Sequence, residues 1–213
     1  MGTWVVIILV VLALYCLWPD RPEPVRAVHI LPPRPEPRKP LTPVFSDASI
    51  AHYKADTGRV CPLIAAFPGS DLAVAPFVEC SPEVQAEACA YLAAEWGDVL
   101  THDYIVKEFG HSDVMYVMSE RGRFVAAAAV DRKNFYPFIS HVFVRPDMRG
   151  RGHARAMLDV GHEYAGRMKF SVVKLWCFES LVPFYERMGY EREGAEKDDK
   201  GRDVVVMTKQ LAA

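Results

Sequence analysis

The stretch VFVRPDMRGRGHARAML, residues 142–158, admits few folds. A β-branched and aromatic run meets Pro146, then Arg149-Gly150-Arg151-Gly152, then a helical pattern. The first amides of a helix have no intrahelical partner, and with the helix dipole they form an anion site. Gly150 and Gly152 keep side chains off that backbone, so a diphosphate can lie directly on it, and Arg149 and Arg151 add positive charge. Spacing excludes two nucleotide loops. A Walker A loop needs Lys-Ser or Lys-Thr after its last glycine, where His153-Ala154 stands. A dinucleotide fingerprint counted from Gly150 needs glycine where Arg155 stands, and that side chain would block close helix–strand packing. Taken alone, the motif also reads as a tight strand–helix turn with solvent-facing arginines.

The rest of the chain narrows the choice. A net charge of -2 argues against a dedicated nucleic-acid binder. The five cysteines (Cys16, Cys61, Cys80, Cys89, Cys177) contain no CxxC pair, which points away from a disulfide framework and from a metal site. Residues 74–79 read as a first strand, followed by a helix capped by Ser81 and running from Pro82 to about Trp96, with Val84, Ala88, Leu92 and Trp96 along one face. A short second helix within 97–112 is expected next. A hairpin then pairs 114–119 with 124–131 across ERGR, and 138–144 is the strand entering the glycine turn. Ala154, Met157, Leu158, Gly161, Tyr164, Ala165 and Met168 repeat at helical spacing. A strand at 172–178, a helix at 179–188 and a last hairpin turning at DDKG complete the order β-α-(α)-β-β-β-α-β-α-β-β.

The N-terminus differs in kind. Trp4 to Trp18 is an unbroken run of fifteen apolar or aromatic residues. As a helix it spans roughly 22 Å, short of a hydrocarbon core of roughly 30 Å but within reach of a thinned bilayer. No Lys or Arg precedes it, and bulky residues occupy the place of a cleavage site, so residues 1–18 read as an uncleaved transmembrane anchor rather than a signal peptide. Residues 19–44 hold nine prolines and read as a stiff spacer, leaving 45–213 for the globular domain. Five basic residues follow the apolar run, which places the C-terminal part on the cytoplasmic side.

Arg149, Gly150, Arg151, Gly152, His153 and Ala154 match Arg/Gln-x-x-Gly-x-Gly/Ala, and VPFYERMGY (182–190) follows after one more strand. This pair of motifs, over about residues 74–210, resembles the GCN5-related N-acetyltransferase (GNAT) family. The resemblance implies an α/β (α+β) fold, a mixed, mostly antiparallel sheet flanked by helices, in which the parallel strands 138–144 and 172–178 splay apart. It further implies acetyl-CoA in the splay, its pyrophosphate on the amides from Arg149 to Ala154 and its pantetheine paired with the backbone at Phe143 and Val144. An amine acceptor would attack the thioester directly, and Tyr185 matches the tyrosine that often protonates the departing thiolate in this family.

The general base is open. His141 is the strong titrating group on 138–142, and imidazole titrates in the range the role needs. Strand alternation puts it opposite Ser140 and Val142, unless a bulge re-aims it. Glu108, His111, Asp131 and a water chain are the alternatives. Many family members carry an Asn seven residues before the tyrosine, where Phe178 stands. An acyl-CoA-binding module without turnover therefore stays beside the enzyme reading, as does a membrane-anchored interaction protein acting through the spacer.

Overall fold

The computed structural model describes residues 41–45, 65–97, 100–109, 114–133, 136–198 and 200–211. The chain divides at Arg38/Lys39, and all that follows concerns the unit from Lys39 onward. The expected anchor and most of the spacer lie outside the described residues. Among those residues no helix is long and apolar enough to cross a membrane.

The strands are β1 (Val44–Phe45), β2 (Ala65–Ala66), β3 (Leu72–Pro76), β4 (Val114–Glu120), β5 (Arg123–Lys133), β6 (Tyr136–Val144), β7 (Val172–Cys177), β8 (Glu191–Lys197) and β9 (Asp203–Gln210). The helices are α1 (Pro82–Trp96), α2 (His102–Phe109), α3 (His153–Arg167) and α4 (Val182–Glu186). They build one sheet in the order β1-β2-β3-β4-β5-β6-β7-β9-β8. Every neighbouring pair is antiparallel except β6 and β7, which are parallel.

Alternation along β5 makes two cores. Ala126, Ala128 and Val130 join one with Met157, Leu158, Val160 and Tyr164 of α3. Ala127 and Ala129 join the other with Val84, Ala88 and Leu92 of α1 and with Ile105 and Phe109 of α2. The helix spacing read from the sequence thus corresponds to buried faces, and Leu92, with no exposure, contributes about 1.5–3 kcal/mol by burial. Ser81 caps α1 as expected, its Oγ accepting from the Val84 amide at 3.5 Å. The β4–β5 hairpin turns at Arg121 and Gly122, both at positive φ (52° and 74°), as a two-residue turn of matching twist requires.

Two expected elements are corrected. The first strand stops at Pro76, which lacks an amide for the ladder, and Phe77–Glu79 coil as a 3-10 turn closed by Cys80 N to Phe77 O at 3.1 Å. The helix placed at 179–188 is a 3-10 turn, Glu179–Leu181, followed by the five residues of α4. Leu181 N bonds Phe178 O at 2.8 Å before Pro183, and Gly189 at φ 82° ends the segment.

Candidate functional site

β6 and β7 share a single registered pair, Phe138 with Lys174. Beyond it, 139–144 and 175–177 pair with β5 and β9 but not with each other, so two backbone edges face each other across a wedge. The opening has a local cause. Between Ala127, paired with Phe143, and Ala129, paired with Ser140, the register of β6 slips by one residue. His141 and Val142 therefore oppose Ala128 alone, and His141 takes φ +50°. A bulge bends its strand, and here it turns β6 away from β7.

At the wedge's mouth β6 passes through Arg145 into a 3-10 turn, Pro146–Met148, anchored by the buried Met148. Gly150 (φ 74°) and Gly152 (φ 86°) follow, both in the left-handed region that glycine occupies without strain. The first bond of α3 runs from Ala156 N to Gly152 O at 3.0 Å. The amides of Gly152, Ala154 and Arg155 precede that bond and point out of the helix end. A Cβ built on Gly150 or Gly152 meets nothing within 4 Å, so this backbone stands open to a ligand.

The arginines are less free than the sequence suggested. Arg149 folds back, donating Nε to Val144 O at 3.0 Å with its guanidinium 6.0 Å from the Phe143 ring centre. Arg151 donates to Asp147 O at 3.3 Å. Arg145 pairs with Asp147 and donates to Phe124 O at 3.0 Å. Asp147 and the other partners push the Arg145 guanidinium well above its ordinary value. Phe143 faces the α1 core and Val144 the α3 core, while His153 is 5% exposed at the start of α3. At His153 only the backbone is well placed for a ligand at the mouth.

The bulge decides where His141 points. Ile139, Val142 and Val144 pack toward α3, whereas Phe143 packs toward α1. Without the slip His141 would lie under α3, opposite Ser140, as simple alternation predicts. Instead it shares Ser140's side, with its ring edge-on to Trp96 at 5.4 Å and to Phe109 at 5.8 Å. Ser140 Oγ lies 3.0 Å from His141 Nδ1 and 2.6 Å from Asp131 Oδ2. Asp131 is 7% exposed. Trp96 was read from sequence only as a core-facing helix residue, and neither it nor Phe109 nor Ser140 was taken as a site residue; the adjacent polar pair Ser140-His141 inside an apolar strand was the available signal for a bulge. Of the other base candidates, Glu108 is exposed and pairs with Lys107 at 3.6 Å, and His111 lies outside the described residues.

Tyr185 sits on α4, just past β7, in the core that α3 covers. It is 7% exposed, and Phe184 and Tyr190 pack edge-on against its ring at 5.0 and 5.8 Å. Burial, then the neighbouring Cys177, push its phenol up to about 12, so it keeps its proton at neutral pH. Tyr190 is also buried, and its hydroxyl meets His162 Nε2 at 2.8 Å. Burial likewise raises the Cys177 thiol, which leaves it unreactive. Phe178, in place of the family's Asn, lies under Arg202 at 4.9 Å.

The acetyltransferase (GNAT) domain family matches residues 80–211. The chain is 36% identical over 62 residues to an uncharacterized N-acetyltransferase of Methanocaldococcus jannaschii, covering 28% of this chain and 27% of that protein. It thus spans little more than a quarter of the curated relative's length. An N-acetyltransferase structure from Lactobacillus plantarum aligns with TM-score 0.54 at 22% identity over 66% of this chain and 99% of that one. An aminoglycoside 6'-N-acetyltransferase complexed with coenzyme A aligns at 0.55 and 10% identity, over 66% and 97%. The ribosomal-protein-S18-alanine N-acetyltransferase of Escherichia coli aligns at 0.51 and 15% identity, over 67% and 95%. These structural likenesses speak for the fold, and the family match speaks for descent. With its splayed parallel pair and glycine turn, the chain belongs to the GNAT acetyltransferase family, whose members use acetyl-CoA.

Proposed function

We propose that this protein is a membrane-tethered N-acetyltransferase that moves the acetyl group of acetyl-CoA to a primary amine by direct attack. The observation that carries the reading is the wedge between β6 and β7 with open glycine amides at its mouth. The cradle fits the cosubstrate: Gly150, Gly152 and the first amides of α3 would hold the pyrophosphate, with Arg149 and Arg151 supplying charge. The unpaired edge of β6 at Phe143 and Val144 would take the pantetheine, although Val144 O already accepts from Arg149. When bound, acetyl-CoA supplies an activated acyl group.

The chain's own residues do the rest. His141 Nε2 takes the proton that the acceptor ammonium must lose before its nitrogen can attack the thioester. Tyr185, protonated up to about 12, donates to the departing sulfur. A phenol that weakly acidic stabilises a thiolate mainly by hydrogen bonding, so its contribution is smaller than that of a matched acid. Residues 1–18 act as the anchor, 19–44 as the spacer and 45–213 as the catalytic domain facing the cytoplasm.

Thiol release from acetyl-CoA tests the activity, against a panel of a lysine side-chain amine, a peptide with N-terminal alanine, a polyamine and an aminoglycoside. Turnover with any of them supports the reading. Thermal stabilisation by CoA without turnover supports an acyl-CoA-binding module instead. Resistance of the protein to alkaline carbonate extraction from membranes tests the anchor.

A further inference from the structure

Asp131, Ser140 and His141 form a hydrogen-bonded line that belongs to neither the cofactor cradle nor the acid. Asp131 Oδ2 to Ser140 Oγ is 2.6 Å, and Ser140 Oγ to His141 Nδ1 is 3.0 Å. The two bonds share one hydroxyl, which carries one proton. If Asp131 is ionised, its carboxylate only accepts, and that proton points to Asp131. Ser140 Oγ must then accept from Nδ1–H. The neutral imidazole is thereby fixed with its proton on Nδ1 and its lone pair on Nε2.

We propose that Ser140 and Asp131 are positioning residues that hold His141 in the Nδ1–H tautomer, leaving Nε2 as the proton acceptor. The proposal rests on the reading of His141 as the base. In the step itself, an N–H bond of the acceptor ammonium breaks and an Nε2–H bond forms. The imidazolium keeps its Nδ1–H on Ser140, and its positive charge faces the Asp131 carboxylate through the hydroxyl. The bulge is part of the device. Ser140 is on the same strand side as Asp131 by ordinary alternation, and only the left-handed residue at 141, φ +50°, brings the next side chain to that side as well. A non-glycine residue there is strained, and the surrounding ladder must offset that strain. The aromatic edges of Trp96 and Phe109 then fix the ring's plane. A plain cross-strand tie between Ser140 and Asp131 would need no imidazole within bonding distance.

The test uses the full chain with ¹⁵N-histidine, reading the His141 tautomer from long-range ¹H–¹⁵N correlations assigned by their loss in His141→Gln. The expected wild-type pattern is Nδ1–H. Ser140→Thr keeps the hydroxyl and should retain both the tautomer and kcat in the thiol-release assay, using the fastest amine of the panel. Ser140→Ala should shift the population toward Nε2–H and lower kcat at least tenfold, with KM for acetyl-CoA unchanged. Asp131→Asn should do the same or more, because the amide can donate to Ser140 and turn its proton onto Nδ1. An Nε2–H pattern in the wild type, or unchanged tautomer and kcat in both Ser140→Ala and Asp131→Asn, would overturn the relay. Full kcat in His141→Gln alongside an Nδ1–H wild type would overturn the base, and with it the relay's catalytic role.

Discussion

Gly161 lies where α3 crosses β5 and β6. A Cβ there would stand 2.9 Å from Ile139 Cδ1, and 3.4 Å from both Ile139 Cγ1 and Val130 Cγ2. Carbon atoms settle at about 3.5–4.0 Å, so alanine must displace Ile139 by several tenths of an ångström. Ile139 and Val130 are each 2% exposed, so neither can swing into solvent. Helix propensity favours alanine over glycine by about 1 kcal/mol, while overpacking costs about 1–3 kcal/mol. Gly161→Ala should therefore destabilise the fold by between about 0 and 2 kcal/mol. Ile139→Val deletes Cδ1, the atom at 2.9 Å, and alone costs about 0.5–1.5 kcal/mol. In that background the alanine keeps its helical gain and sheds the worst contact. The double variant should thus be more stable than the additive sum by about 1 kcal/mol or more. Equilibrium urea unfolding of the four proteins measures this coupling. Additivity within about 0.3 kcal/mol would refute the claim that Ile139 keeps position 161 a glycine.

At the cradle, Gly152→Ala forces an L residue to φ 86° and should cost about 1–2 kcal/mol, while Gly152→Glu should lower CoA affinity at least tenfold by calorimetry. Unchanged CoA affinity in Gly152→Glu and Arg149→Ala would remove the anion site. Tyr185→Phe should lower kcat about ten- to hundredfold with KM for acetyl-CoA preserved, and an unchanged kcat would dismiss the proposed acid. Burial raises the phenols of Tyr185, to about 12, and of Tyr190, from an ordinary value of 10.0. Below that ordinary value both states hold these protons and the contribution is intact. From pH 10 through about 12 the unfolded chain releases protons that folded Tyr185 keeps, so stability falls by up to about 1.4 kcal/mol per pH unit. The stability difference between wild type and Tyr185→Phe should decline over that window; a flat difference contradicts the burial argument.

Much of this was legible because its signals are local. Ser81-Pro82 marks the start of α1, Arg121-Gly122 a two-residue turn, and Gly150 and Gly152 a left-handed turn before a helix. What was not legible depends on partners distant in sequence. β1 and β2 are two residues each and exist only through pairing with each other and β3. Alternation misplaced His141 because one slipped register against Ala128 turns it across the sheet, and the polar pair Ser140-His141 signals a bulge without fixing which side chain it turns. Tyr185 stood out by its motif, yet its raised proton affinity comes from its tertiary surroundings. Ser140 and Asp131, nine residues apart, meet only once β5 and β6 pair.

The measurement that bears most directly on the account is single-turnover thiol release from acetyl-CoA by the wild type and by His141→Gln, with the amine panel in excess. The account predicts amine-dependent release in the wild type and a loss of about a hundredfold or more in the variant, with CoA binding intact in both. Tight CoA binding with no amine-dependent release from the wild type would contradict it.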